Sequence, residues 1–119
     1  MNYNRGDVVI LPFPFVTAEG VRQKARPALV ISDHTIRRRF NDVILVGITS
    51  RCTHDVQDTE LLIEEGAPEF DETGLVKTSV VRCEYVMTIP GDMIVRKLGC
   101  FSHRLMAATD DKLRFSLGL

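Results

Sequence analysis

Ser79-Val80-Val81-Arg82-Cys83-Glu84-Tyr85-Val86 is the stretch that decides how this chain is read. Its centre alternates apolar and charged residues with a period of two, which predicts a β-strand. On a regular strand Arg82 and Glu84 share one face, and Val81, Cys83 and Tyr85 share the other.

Towards the N-terminus, Val43 to Ile48 is almost wholly β-branched or aliphatic and predicts a buried strand that delivers Thr49 and Ser50 to its C-terminal edge. Glu60 to Ile63 predicts a further short strand, and the acidic run Glu65 to Gly74, with Gly66, Pro68 and Gly74, predicts a loop. Val8 to Leu11 reads as another buried strand. Phe13 and Phe15 then alternate with Pro12 and Pro14, which puts that segment at a sheet edge or takes it out of the sheet, with the rings free to pack inward. Thr17 to Lys24, polar and containing Gly20, predicts an exposed loop. Pro27 biases Arg26 to an extended backbone and so sets it at the mouth of the strand Ala28 to Ile31. Ser32-Asp33 predicts a capped helical turn over His34 to Phe40.

Towards the C-terminus, Pro90-Gly91 breaks the chain before a last strand, Met93 to Phe101. Ser102 then caps a terminal helix whose apolar positions Leu105, Met106, Thr109 and Leu113 recur at helical spacing. The expected class is mainly β with a C-terminal α-helix, arranged as a small, strongly bent antiparallel sheet or barrel.

With 119 residues, 45% hydrophobic and 26% charged, the chain has the size and composition of one globular domain spanning 1–119, and disordered, collagen-like and coiled-coil classes are excluded. No apolar run reaches the ~18 residues of a membrane span, and Met1 to Arg5 is polar, so a cytoplasmic location without membrane attachment is expected. Cys52, Cys83 and Cys100 are odd in number and lack CxxC spacing, which indicates neither a disulfide framework nor a zinc ribbon. Cys52 and His54 lack a second ligand pair, so no metal site is expected. The formal charge of -1 conceals segregation: Val21 to Phe40 carries a net +5, and Asp55 to Glu72 a net -8. One basic sector suits a polyanion locally, without the global attraction of a strongly basic protein.

Arg26, the hydroxyls of Thr49 and Ser50, and the pair Arg82 and Glu84 are the candidates for chemistry. Taken singly they also fit plainer roles, namely a surface arginine, a turn and a surface ion pair worth ~0 to 1 kcal/mol. In order and spacing, however, Gly6-Asp7-Val8-Val9, Lys24-Ala25-Arg26-Pro27-Ala28-Leu29-Val30-Ile31-Ser32, Ile48-Thr49-Ser50, Ser79 to Glu84 and Gly99-Cys100-Phe101-Ser102 together form a set that resembles the MazF/PemK family of toxin–antitoxin endoribonucleases.

That resemblance implies an SH3-like antiparallel β-barrel shared with the gyrase-poisoning toxins, a homodimer, and metal-independent, sequence-selective cleavage of single-stranded RNA. It also implies a cognate antitoxin whose flexible acidic segment blocks the RNA groove, and no cofactor. Scission without metal needs a base for the 2′-hydroxyl proton and donors for the phosphoryl oxygens. By resemblance Arg26 and Thr49 are those donors, Glu84 is the base, and Arg82 gives electrostatic support, since a guanidinium with pKa above ~12 is a poor acid. Relatives that place a histidine before the Arg-Pro pair find here Glu19, Arg22, Gln23 and Lys24, which with Ser50 are the candidate RNA contacts. Two other classes are consistent with the resemblance: a non-enzymatic toxin that inhibits DNA gyrase, and a catalytically silent nucleic-acid-binding module. Phe13, Phe15 and Phe40 can stack bases or pack in the core, and Arg37 to Arg39 can meet phosphates or water.

Overall fold

Strand β1 (Asp7–Thr17) turns back through Ala18 and Glu19 into β2 (Gly20–Val30), and these are followed by β3 (Asp42–Thr49), β4 (Glu60–Ile63), a one-turn helix α1 (Phe70–Thr73), β5 (Ser79–Pro90), β6 (Arg96–Cys100) and the terminal helix α2 (His103–Leu117). The structure is a computed structural model that describes residues 3–119 except for the side chains at 14–16, so the expectation for the Phe15 ring lies outside the described residues. All strand pairs are antiparallel, in the order β4-β5-β3-β2-β1-β6. The sheet is bent rather than closed by hydrogen bonds.

Two irregularities produce the bend. Between β1 and β6 the register slips after Val8. Between β3 and β5, Val46 faces Val86 but Gly47 faces Arg82, so Cys83, Glu84 and Tyr85 bulge out of that ladder. The amide of Cys83 turns to the Thr59 carbonyl instead, at 3.0 Å. The two faces of the bent sheet carry separate cores. Val8, Leu29, Val46, Val81 and Cys83 pack with Leu105, Met106 and Leu113 of α2. Val9, Leu11, Phe13, Val30, Leu45 and Ile89 form the second cluster, with Tyr85 against it. Burying each of Leu11, Leu29 and Leu45 completely is worth about 1.5–3 kcal/mol.

Several sequence expectations are corrected. Thr17 to Lys24 is not a loop: Thr17 ends β1 and lies opposite Gly20 around a two-residue turn, and Gly20 to Lys24 pair residue for residue with β1. Since Val21 to Ala25 are exposed, nothing in their composition marks a strand. Arg26 accordingly lies within β2, one residue before Pro27, where pairing to β3 stops at Ala28. Residues 34–40 form turns and bends rather than a helix: Ser32 Oγ accepts from the Ile44 amide of β3 (3.2 Å), and the cap-like bond from the Thr35 amide to Asp33 (2.9 Å) closes a turn that does not continue. Prolines 12 and 14 fall beyond Ile10, where β1 loses β6 and keeps only β2.

Helix α1 sits where a loop is expected. Its C-terminal Gly74 (φ +74) and Gly99 of β6 let two backbones touch: a Cβ on Gly99 would meet the Glu72 carbonyl oxygen at 2.2 Å. Helix α2 starts at Ser102, whose Oγ accepts from the Leu105 amide (3.2 Å) and donates to Glu69.

Candidate active site

Four strands surround a cleft of about 180 Å³: Phe13 comes from β1, Arg26 and Pro27 from β2, Gly47 to Thr49 from β3, and Arg82 and Tyr85 from β5, with Arg51 just beyond β3. It opens where β2 and β3 part company. The floor is aromatic: Phe13 and Tyr85 meet edge to face, with ring centroids 5.5 Å apart at 84°. Gly47 lies against both rings, since a Cβ there would come 3.8 Å from Tyr85 and 3.9 Å from Phe13. The Arg82 guanidinium lies 5.1 Å from the Tyr85 ring centroid, which fixes a cation over an aromatic face.

The bulge in β5 explains this floor. A regular strand would send Tyr85 to the side of Val81 and Cys83, which the sequence pattern predicts. Instead Cys83 is buried in the core beneath α2 while Tyr85 packs on the opposite cluster, beside Arg82.

Arg26, Thr49 and Arg82 therefore line one cleft. Glu84 does not line it. The Glu84 carboxylate borders an adjoining acidic depression of about 570 Å³, formed with Asp55, Gln57, Asp58, Thr59 and Glu60, and Arg82 is the residue common to both. Glu84 Oε2 accepts from Arg82 Nε (2.8 Å), with Arg82 Nη2 2.7 Å away, and Oε1 accepts from Thr59 Oγ1 (2.9 Å). Glu60 stands 3.9 Å from Arg82 Nε. Thr49 Oγ1 accepts from the Arg51 amide (3.1 Å), which leaves its hydroxyl proton available to an incoming oxygen.

The other candidates lie outside the cleft. Glu19, Arg22, Gln23 and Lys24 are exposed on the β1–β2 arm, with Arg22 and Lys24 alternating in register with Arg26, and Ser50 is exposed after β3. Cys52 and His54 are also exposed, and among the described residues no three His, Cys, Asp or Glu side chains gather as a metal site requires. Burial, reinforced by the Glu84 charge, pushes the Cys83 thiol up to about 11, which makes it a core residue rather than a nucleophile. The sequence reading missed Tyr85, Gly47, Thr59 and Arg51. Only the aromatic Tyr85 beside Arg82 and Glu84 carried a signal, and strict alternation assigned it to the wrong face.

A family model described as PemK-like, MazF-like toxin of type II toxin–antitoxin system matches residues 4–117. No curated protein matches the chain. Among solved structures, an endoribonuclease in complex with its cognate antitoxin from a mycobacterial species is 21% identical, covers 99% of this chain and 97% of its own, and superposes with a TM-score of 0.73. The Mycobacterium tuberculosis toxin MazF-mt6 gives 22%, 95%, 97% and 0.72 for the same quantities, and MazF from Deinococcus radiodurans 21%, 100%, 99% and 0.73. At these identities the structures establish a common fold, the open, bent sheet with its C-terminal helix. No helix among the described residues is long and apolar enough to cross a membrane. The near-complete match in sequence goes further: this chain belongs to the PemK-like, MazF-like toxins of type II toxin–antitoxin systems.

Proposed function

We propose that the chain is an endoribonuclease that cuts single-stranded RNA at short sequences and thereby stops translation and growth, acting in the cytoplasm as a homodimer held in check by an acidic segment of its antitoxin. One observation carries the reading: Arg26, Thr49 and Arg82, from three strands, line a single cleft floored by two aromatic rings.

Such a cleft suits a nucleotide. The two guanidinium groups and the Thr49 hydroxyl supply donors for the phosphoryl oxygens, where negative charge redistributes as the phosphorus becomes five-coordinate. The Tyr85 and Phe13 rings offer an apolar floor to a neighbouring base. The RNA brings its own nucleophile, the 2′-hydroxyl, so the chain must supply a base rather than a nucleophilic side chain. Glu84 takes this role once Arg82 moves its hydrogen bonds from the carboxylate to the phosphate, which frees a carboxylate oxygen for the 2′-hydroxyl proton. The 2′-oxygen bonds to phosphorus as the bond from phosphorus to the 5′-oxygen breaks, and that oxygen takes a proton from water, so the products are a 2′,3′-cyclic phosphate and a 5′-hydroxyl, and no metal takes part. Arg22 and Lys24 on the β1–β2 arm, with Glu19, Gln23 and Ser50, contact the nucleotides that flank the cut.

The test is incubation of a synthetic single-stranded RNA with the purified chain in EDTA, followed by end-group analysis. Cyclic phosphate ends, lost with Arg26→Ala, are the expected result. Intact RNA together with blocked DNA supercoiling would identify a gyrase inhibitor, and binding without cleavage a silent module.

A further inference from the structure

Arg37, Arg38 and Arg39 stand apart from the cleft. They lie between β2 and β3, at the opposite end of β3 from Thr49, and eight residues at about 3.3 Å each put about 23 Å between the two ends. The segment is braced. Asp33 Oδ1 accepts from the Thr35 amide (2.9 Å) and hydroxyl (2.6 Å), bonds that hold its carboxyl below the usual range. Arg38 donates to the carbonyls of Asp33 (3.1 Å), Ile36 (3.4 Å) and Asp42 (2.6 Å). Arg38 and Asp33 are thus spent on the turn itself. Arg37 and Arg39 are exposed and make no hydrogen bond or ion pair among the described residues. Beside them Phe40 is 67% exposed, at the rim of a depression of about 280 Å³ shared with His34 and Arg39.

We propose that this segment is a second contact for single-stranded RNA, with Arg37 and Arg39 on phosphates and Phe40 stacked on a base; the inference rests on the ribonuclease reading of the cleft. A braced backbone that presents uncommitted cations beside an exposed ring matches a nucleotide chain, in which every unit carries both a phosphate and a π-face. An acidic polypeptide offers the charge without a regular ring. Charge favours the same path: from the acidic run, Asp55, Asp58 and Glu60 border the depression that adjoins the cleft, while the arginines stand at the other end of β3. A polyanion leaving the cleft is therefore repelled at one end of β3 and drawn to the other.

The test uses the intact chain and two RNAs with the same cleavage sequence, one of about 4 nucleotides that fills the cleft and one of about 16, the range of small single-strand sites. With Arg37→Ala/Arg39→Ala, affinity for the long RNA measured by fluorescence anisotropy falls about tenfold, and the slope of log affinity against log salt shallows by about 1.4, or about 0.7 per phosphate. Cleavage of the short RNA is unchanged, and the double lysine variant restores the salt slope. Phe40→Ala weakens binding of the long RNA alone, without altering its salt slope. Equal losses on both RNAs, undiminished binding of the long one, or loss of binding only to a polyglutamate probe would each overturn the proposal. If the wild type binds the long RNA through these residues yet cuts neither RNA, the nuclease reading fails and this contact stands. Normal cutting with arginine-independent binding removes this contact and leaves the nuclease reading intact.

Discussion

Arg82 and Glu84 are bound to each other on the bulge of β5, yet they face different depressions: Arg82 borders both the aromatic-floored cleft and the acidic one, and Glu84 only the latter. Under the proposed function, the ion pair is thus a hinge between a phosphate-binding surface and a proton acceptor. Glu84→Gln keeps the shape and removes the acceptor, so RNA cleavage should fall by about 10²–10⁴-fold and the acidic limb of the rate–pH profile should vanish. Thr59→Ala, which removes only the Oε1 partner, should keep that limb. An acidic limb that persists in Glu84→Gln would exclude Glu84 as the base.

Tyr85 carries Arg82 over its ring and meets Phe13 edge to face. Tyr85→Phe retains both contacts, whereas Tyr85→Ala removes the proposed base platform. Binding of a non-cleavable RNA, followed by fluorescence anisotropy, should be nearly unchanged in the first and weakened by about 1–3 kcal/mol in the second. Equal affinities for wild type and Tyr85→Ala would show that the floor is packing alone.

What could be read in the sequence follows where burial is one-sided or complete. The apolar runs Val8 to Leu11, Ala28 to Ile31 (save its last residue) and Val43 to Ile48 occupy strands because a strand buried on both faces needs an uninterrupted apolar stretch. Helix α2 was legible from its Ser102 cap and its buried stripe of Leu105, Met106, Thr109 and Leu113. The β1–β2 arm was not, since hydrogen bonding to one neighbour leaves no hydrophobic period on exposed residues. In the site, spacing alone paired Arg82 with Glu84, but the bulge that sends Tyr85 into the cleft is a tertiary event. It falls where β4 ends its pairing, at Arg82, and no local pattern in β5 encodes that.

The contact between α1 and β6 has no room for a side chain. A Cβ on Gly99 would lie 2.2 Å from the Glu72 carbonyl oxygen and 2.5 Å from the Thr73 carbonyl carbon, both backbone atoms that cannot rotate away. Gly99→Ala should therefore destabilise the fold by about 1–3 kcal/mol or more. Thermal unfolding should show a melting temperature lower by roughly 4 °C per kcal/mol. Gly66→Ala is the control, with nothing within 4 Å of the added methyl group, and should leave the melting temperature in place.

Glu69 ties the segment before α1 to the start of α2. Its carboxylate accepts from Arg104 and from Ser102 Oγ, and these bonds hold its carboxyl below the ordinary 4.5. The sign of the pH effect follows from that direction: a carboxyl depressed in the folded state contributes stability above its unfolded value and loses it as pH falls through the folded one. The wild type should accordingly exceed Glu69→Gln in urea midpoint at neutral pH. The gap should begin to close once the pH drops below 4.5 and should disappear under stronger acid. Because the Arg104 side of the pair is solvent-exposed, salt should narrow the gap at neutral pH. A gap that is constant with pH would assign the loss to packing rather than to the ionised carboxylate.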